Sequence, residues 1–261
     1  MTNIFSKNYT LTRNNILNIP TISTVHNGFQ ITDFTSILAT VAQEHSTLLG
    51  FPTSWFDERQ LAWFIMDWHV KFHKFPEPNS TITADTWATI YKRIQSHRSF
   101  ILKNEHGETI LEGMSKWVVL NTATRKLSRA TSEIFQPYSS DLASVFPDNT
   151  FIQTKLSDEA PIQENSIKVA SNHIDSNEHI NNNIYIGWHE SILSNHISPS
   201  NKIVELKAHY HKEAYEGDVI AHSLYDGSAD YSHTNSKEFV SKFTKSTDSS
   251  LIHCQVSSVW E

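Results

Sequence analysis

Apolar residues recur at helical spacing through "DFTSILATVAQEHSTLLG", where Phe34, Ile37, Leu38, Val41, Leu48 and Leu49 share one face. Asp33 suits the N-cap and Gly50 the stop, so the spacing predicts a helix over 33–50. Beyond Pro52 the period changes to two. In "AWFIMDWHVKF", Phe64, Met66, Trp68, Val70 and Phe72 alternate with Asp67, His69 and Lys71, which predicts a strand with one buried face. The turn-like "PEPNS" is followed by two extended runs, "TWATIYKRIQSHRSFILKN" and "TILEGMSKWVVLN". They join at "EHGE", a hairpin in which Gly107 can take positive φ. Residues from about Ser128 to Pro161, rich in Ser, Asp and Pro, read as a connection rather than a core element.

The second half repeats this order. A helix starting near Asn181 to Asn183 carries Ile184, Tyr185, Trp188, Ile192 and Leu193. "KIVELKAHYH" then alternates, with Val204, Leu206, Ala208 and Tyr210 on one face, and "DVIAHSLYD", "EFVSKFTKS" and "LIHCQVSSVW" supply further strands. "KFHKFPEPNSTI" and "HYHKEAYEGDVI" align as the ends of corresponding strands, with Phe75 in the place of Glu213. An internal duplication follows, in which one half keeps a carboxylate where the other has a phenyl ring.

Composition narrows the function classes. Of 261 residues, 38% are hydrophobic and 19% charged, which marks a globular chain long enough for one large domain or two ordinary ones. No apolar run is long enough to span a bilayer and the N-terminus lacks a secretory pattern, so the expectation is a cytoplasmic protein without a membrane span. A single cysteine, Cys254, rules out an intramolecular disulfide framework and a cysteine-based metal cluster. The net charge of -7 argues against nucleic acid as a partner. Lys92, Arg93, Arg98, Arg125, Lys126 and Arg129 nevertheless concentrate positive charge in the first half, either on a solvated strand edge or on a landing patch for an acidic partner.

The densest polar chemistry lies in "HIDSNEHINNNIYIGWHESIL", residues 173–193. Taken singly, its Asn and Asp residues suit turns and helix caps. Glu213 alone is an ordinary strand-end acid, and His209 and His211 alternate without a third ligand at metal-site spacing. Taken together, the chain resembles the acyl-acyl carrier protein thioesterases. "DSNEHINNNIY" is similar to their Asp-x-Asn-x-His-x-Asn-Asn pattern, with Asp175, Asn177, His179 and Asn181 in place. "HYHKEAYEGDVI" resembles their Glu-containing strand and puts Glu213 at the acid. "QEHSTLLG", "DTWATIYKRIQSHRSFILKNEHGETI" and "WVVLNTATRKLSR" extend the resemblance across roughly Gly28 to Tyr225. Three features depart from it: Tyr185 stands one residue beyond the tyrosine that ends their pattern, Ala214 stands where plant members carry a Cys, and His173 where they carry an acid.

The resemblance implies an α+β, tandem (double) hotdog, each half a long helix wrapped by an antiparallel sheet. Residues 1–130 would form the first hotdog and hold the acyl chain, 131–160 would connect, and 161–261 would form the catalytic hotdog. The implied activity is hydrolysis of fatty acyl-acyl carrier protein thioesters, without metal or organic cofactor; a homodimer is left open. Without a thiol at 214, the nucleophile would be water activated by Glu213 and His179, with Asn177 polarising the carbonyl and Asp175 orienting that amide. Two alternatives stay open: a thioesterase for acyl-coenzyme A, and a non-catalytic acyl-binding hotdog.

Overall fold

In a computed structural model, the described residues are 4–11, 28–91, 94–129, 131–154, 156, 160–175, 177–227 and 236–261. The chain divides into two compact units, residues 1–15 with 34–151 and residues 16–33 with 152–261. The first holds strands β1 (Phe5–Thr10), β2 (Leu61–Phe72), β3 (Thr81–Tyr91), β4 (Gln95–Lys103), β5 (Thr109–Asn121) and β6 (Lys126–Ser128). Its helices are α1 (Ile31–Leu48), whose first turn belongs to the second unit, α2 (Thr53–Asp57) and α3 (Ser132–Tyr138). The second unit holds β7 (Gln163–Lys168), α4 (Asn182–Leu193), β8 (Ile203–Tyr210), β9 (Val219–Asp226), β10 (Lys237–Lys245) and β11 (Asp248–Trp260).

Strand order exposes the duplication. The first unit runs β1-β3-β4-β5-β2, with β6 beside β5, and the second runs β7-β9-β10-β11-β8. Both follow the rule first, third, fourth, fifth, second, and these pairings within each unit are antiparallel. The sheet edges β1, "FSKNYT", and β7, "QENSIK", lack an apolar face in sequence. Such polar edges protect a sheet from further pairing and carry little periodic signal.

Several local expectations change. Helix α1 starts two residues before Asp33, whose carboxylate instead accepts the Gln30 N–H at 2.8 Å, the reciprocal half of a capping box. The run "TWATIYKRIQSHRSFILKN" is a hairpin of β3 and β4, with Tyr91 opposite Gln95, while Gly107, at φ 78°, turns β4 into β5 as expected. Strand β2 is buried on both sides around a register shift between Ile65 and Asp67. There Asp67 pairs with Lys116 at 3.3 Å, and Phe146 stacks on His69, which also hydrogen-bonds Thr150. The stretch after Ser128 does reach the core: Ile134 and Tyr138 pack with Phe51, Phe56, Ala88 and Val119.

Each helix lies against its sheet. A Cβ on Gly113 of β5 would come within 3.1 Å of Leu38 in α1, so the small residue permits close approach. Ser46 of the same helix hydrogen-bonds Tyr138, and His45 accepts from the buried Arg98 at 2.9 Å. Arg98 therefore leaves the proposed basic surface: it is an interior residue, bonded also to Thr86 Oγ1 at 3.4 Å and lying 5.8 Å from the Tyr138 ring. Lys92 and Arg93 fall outside the described residues, while Arg125, Lys126 and Arg129 are exposed.

The second unit encloses a longer polar chain. His189 of α4 bonds Ser241 and Ser258, each at 2.7 Å; Ser241 also meets His222 at 2.9 Å, and Trp260 Nε1–H donates to Ser258. Burial, with His222 nearby, lowers the His189 pKa to about 3, and burial lowers that of His222 to about 4. Both rings are neutral at ordinary pH and act as hydrogen-bonding wedges between helix and sheet. No helix among the described residues is long and apolar enough to cross a membrane.

Candidate active site

The loop entering α4 is shaped by its own polar residues. Ile174 and Ile180 form an isolated antiparallel bridge, and the Asp175 N–H donates to the His179 carbonyl at 3.0 Å. Within that closure Asp175 Oδ1 accepts the Asn177 N–H at 2.8 Å, an aspartate turn, and Glu178 takes φ 68°. Asn181 caps α4 by accepting the Asn183 N–H at 2.9 Å. Part of the polar run is therefore architecture, as the capping reading of single residues expects.

The remainder converges on Glu213. The Ile180 N–H donates to the Ala214 carbonyl at 2.9 Å and ties the loop to the segment leaving β8. Next to that tie, His179 Nε2 stands 3.3 Å from Glu213 Oε1, and His179 Nδ1 stands 3.7 Å from Asp175 Oδ1. One imidazole thus lies between two carboxylates. The His179 side chain is 9% exposed and that of Glu213 28%, so water reaches the acid while the ring is largely enclosed. Asn177 is exposed, and its Nδ2 donates to Asp175 Oδ2 at 3.4 Å, leaving its second amide hydrogen for another acceptor.

All four residues singled out from sequence therefore belong to one contiguous set: Asp175 contacts Asn177 and His179, and His179 contacts Glu213. Sequence reasoning missed Tyr215, whose hydroxyl donates to Glu213 Oε2 at 2.9 Å. Its only signal in the sequence was nearness, two residues after Glu213 and outside any periodic run. Cys254 is fully buried in β11. Among the described residues, no group of three or more His, Cys, Asp or Glu has metal-holding spacing. His209 is buried, and exposed His211 lies 3.1 Å from Gln153.

Comparison with known proteins identifies the family. The family model described as the acyl-ACP thioesterase N-terminal domain matches residues 10–138, and that of the C-terminal domain matches residues 156–261. The chain belongs to the acyl-ACP thioesterase family. Oleoyl-acyl carrier protein thioesterase 2, chloroplastic, from Arabidopsis thaliana is 29% identical over 200 residues, covering 71% of this chain and 54% of that protein. The chain thus spans about half the length of the curated relatives it matches.

Among solved structures, an acyl-ACP thioesterase from Bacteroides thetaiotaomicron matches with a TM-score of 0.80 at 19% identity, over 99% of this chain and 98% of that one. The 12:0-ACP thioesterase from Umbellularia californica matches with a TM-score of 0.81 at 18% identity, over 99% and 94%. At such identities the likeness speaks for the fold. It is the double hotdog expected from sequence, and this member of the acyl-ACP thioesterase family carries Ala214 beside its candidate acid.

Proposed function

We propose that the chain hydrolyses the thioester joining a fatty acyl group to the phosphopantetheine arm of an acyl carrier protein, releasing free fatty acid in the cytoplasm. The observation that carries this reading is the 3.3 Å approach of His179 Nε2 to Glu213 Oε1, with Asp175 on the other ring nitrogen. A water molecule at the exposed edge of Glu213 adds its oxygen to the thioester carbonyl carbon and gives a proton to the Glu213–His179 pair. The second amide hydrogen of Asn177 donates to the developing oxyanion, with Asp175 orienting the amide. Collapse breaks the C–S bond, the acid departs, and the pair returns its proton to the thiolate.

The first unit, with Phe75 where the second has Glu213, is the proposed holder of the acyl tail; each methylene buried there is worth roughly 0.8 kcal/mol. The acidic carrier would meet the exposed cations Arg125, Lys126 and Arg129. The test is a panel of acyl carrier and coenzyme A thioesters of roughly eight to eighteen carbons, chosen because pocket depth scales with chain length. Released thiol and free acid are expected with carrier substrates. Reversal of the three cations to Glu should slow the carrier reaction alone; unchanged turnover favours coenzyme A, and no release from any thioester leaves an acyl-binding protein.

A further inference from the structure

Glu213 presents its two oxygens to two different partners. Oε1 faces His179 Nε2 at 3.3 Å, and Oε2 accepts the Tyr215 hydroxyl at 2.9 Å. The tyrosine is held by a tight turn rather than by burial. Its N–H donates to Asp218 Oδ2 at 2.9 Å, the Asp218 N–H returns to the Tyr215 carbonyl at 3.1 Å, and Gly217 takes φ 87°. The ring meets His179 edge to face, with centroids 6.4 Å apart, yet the residue remains 45% exposed. A large aromatic left this open gains little from core packing, while its polar end is spent on the candidate acid.

We propose that Tyr215 is a positioning residue of the hydrolytic site: its hydroxyl holds Glu213 Oε2 and thereby keeps Oε1 toward His179 and the attacking water. A carboxylate turns readily about its last torsion, and its oxygens are equivalent until one is engaged. A donor on Oε2 removes that freedom. Among the groups that face Glu213 are His179, from the loop before α4, and Tyr215, from its own turn. Asp175 lies behind the imidazole, and Asp218 is on the turn backbone. The corresponding position in the first unit is Glu77, in the turn that carries Phe75. Tyr215 therefore accompanies the acid and is not demanded by the turn.

This inference rests on the hydrolase reading, and two measurements separate them. Tyr215→Phe keeps the ring and removes the donor. Expected is a kcat lower by about tenfold with KM little changed and the thermal melt held, because the donor positions the acid rather than binding substrate. Independently of turnover, the carboxyl 13C resonance of Glu213 at fixed neutral pH should move in Tyr215→Phe, as its hydrogen bond is lost. An unmoved Glu213 resonance, or a kcat equal to the parent, overturns the role of Tyr215. Absence of hydrolysis in the parent chain, with the resonance still moved, overturns the hydrolase reading and leaves the positioning contact standing.

Discussion

In the first unit the chain leaves β2 at Phe72, and the N–H groups of His73 and Lys74 both donate to the Ile110 carbonyl, at 2.9 and 3.2 Å. In the second it leaves β8 at Tyr210, and those of His211 and Lys212 both donate to the His253 carbonyl, at 2.9 and 3.3 Å. Left-handed residues follow at matched places, Asn79 at φ 66° and Gly217 at φ 87°, before the next strands begin at Thr81 and Val219. The two paths are the same, and what they carry is not. Phe75 stacks on Phe72 at 5.5 Å and meets Phe34 edge to face at 5.6 Å, whereas Glu213 faces His179 and Tyr215. The turn is thus a neutral mount. Under the proposed hydrolase reading, the two turns differ in which side chain occupies the third position past the strand and in what another segment brings to meet it.

Making the turns alike tests this most severely. Glu213→Phe, which copies the first unit into the second, should lower kcat by about 10² or more while the chain still folds, as read by steady-state hydrolysis beside a thermal melt. Retained turnover would mean that the two turns do not differ in chemistry. The reverse copy, Phe75→Glu, loses contacts with Phe34 and Phe72 and sets a carboxylate against aromatic rings, at a cost of about 2 to 4 kcal/mol in urea unfolding. It should add no activity. A neutral outcome would show that the first turn is not held by its ring cluster.

The helices offer the next contrast. Glu190, buried in α4, accepts the Ile31 N–H on both oxygens, at 3.1 and 3.2 Å. Burial raises its pKa to about 8, with the Ile31 N–H opposing and Asp33 adding to the rise. Between its ordinary 4.5 and about 8, the folded state keeps a proton that the unfolded state has released. Its stabilising contribution is therefore complete below that window and lost as pH climbs through it. Glu190→Gln should flatten the decline, gaining roughly 2 kcal/mol on the parent near the upper end, as measured by denaturant midpoints across pH. Parallel curves would refute the assignment.

The smallest effect concerns the backbone alone. Nothing lies within 4 Å of a Cβ placed on Gly217, so Gly217→Ala pays only the left-handed strain, about 1 kcal/mol in the same assay. No loss at all would indicate that the second turn relaxes where the first, with Asn79, does not.

Legibility in the sequence followed amphipathicity. Helices α1 and α4 and strands β8 and β9 each bury enough of one face to leave a period in the apolar residues, while β2, β10 and β11, buried on both sides, show as runs rich in strand-forming residues. Edge strands β1 and β7 do not, because solvent takes their outer sides. The break between β3 and β4 was hidden because both flanks have strand character. Arg98 was misread for a related reason: a guanidinium looks like surface until a buried histidine and threonine are found beside it.

From the chain alone came the helix and strand periods and the repeated order of elements, while the resemblance to a family singled out Asp175, Asn177, His179 and Glu213. Those are local properties, written in neighbouring residues. Only the tertiary structure decided that an Ile180 N–H bonded to Ala214 would carry His179 to 3.3 Å from Glu213, that Tyr215 would take the other oxygen, and that Arg98 would turn inward. Such distances arise from packing between segments far apart in the chain, where spacing along the sequence holds no measure of separation in space.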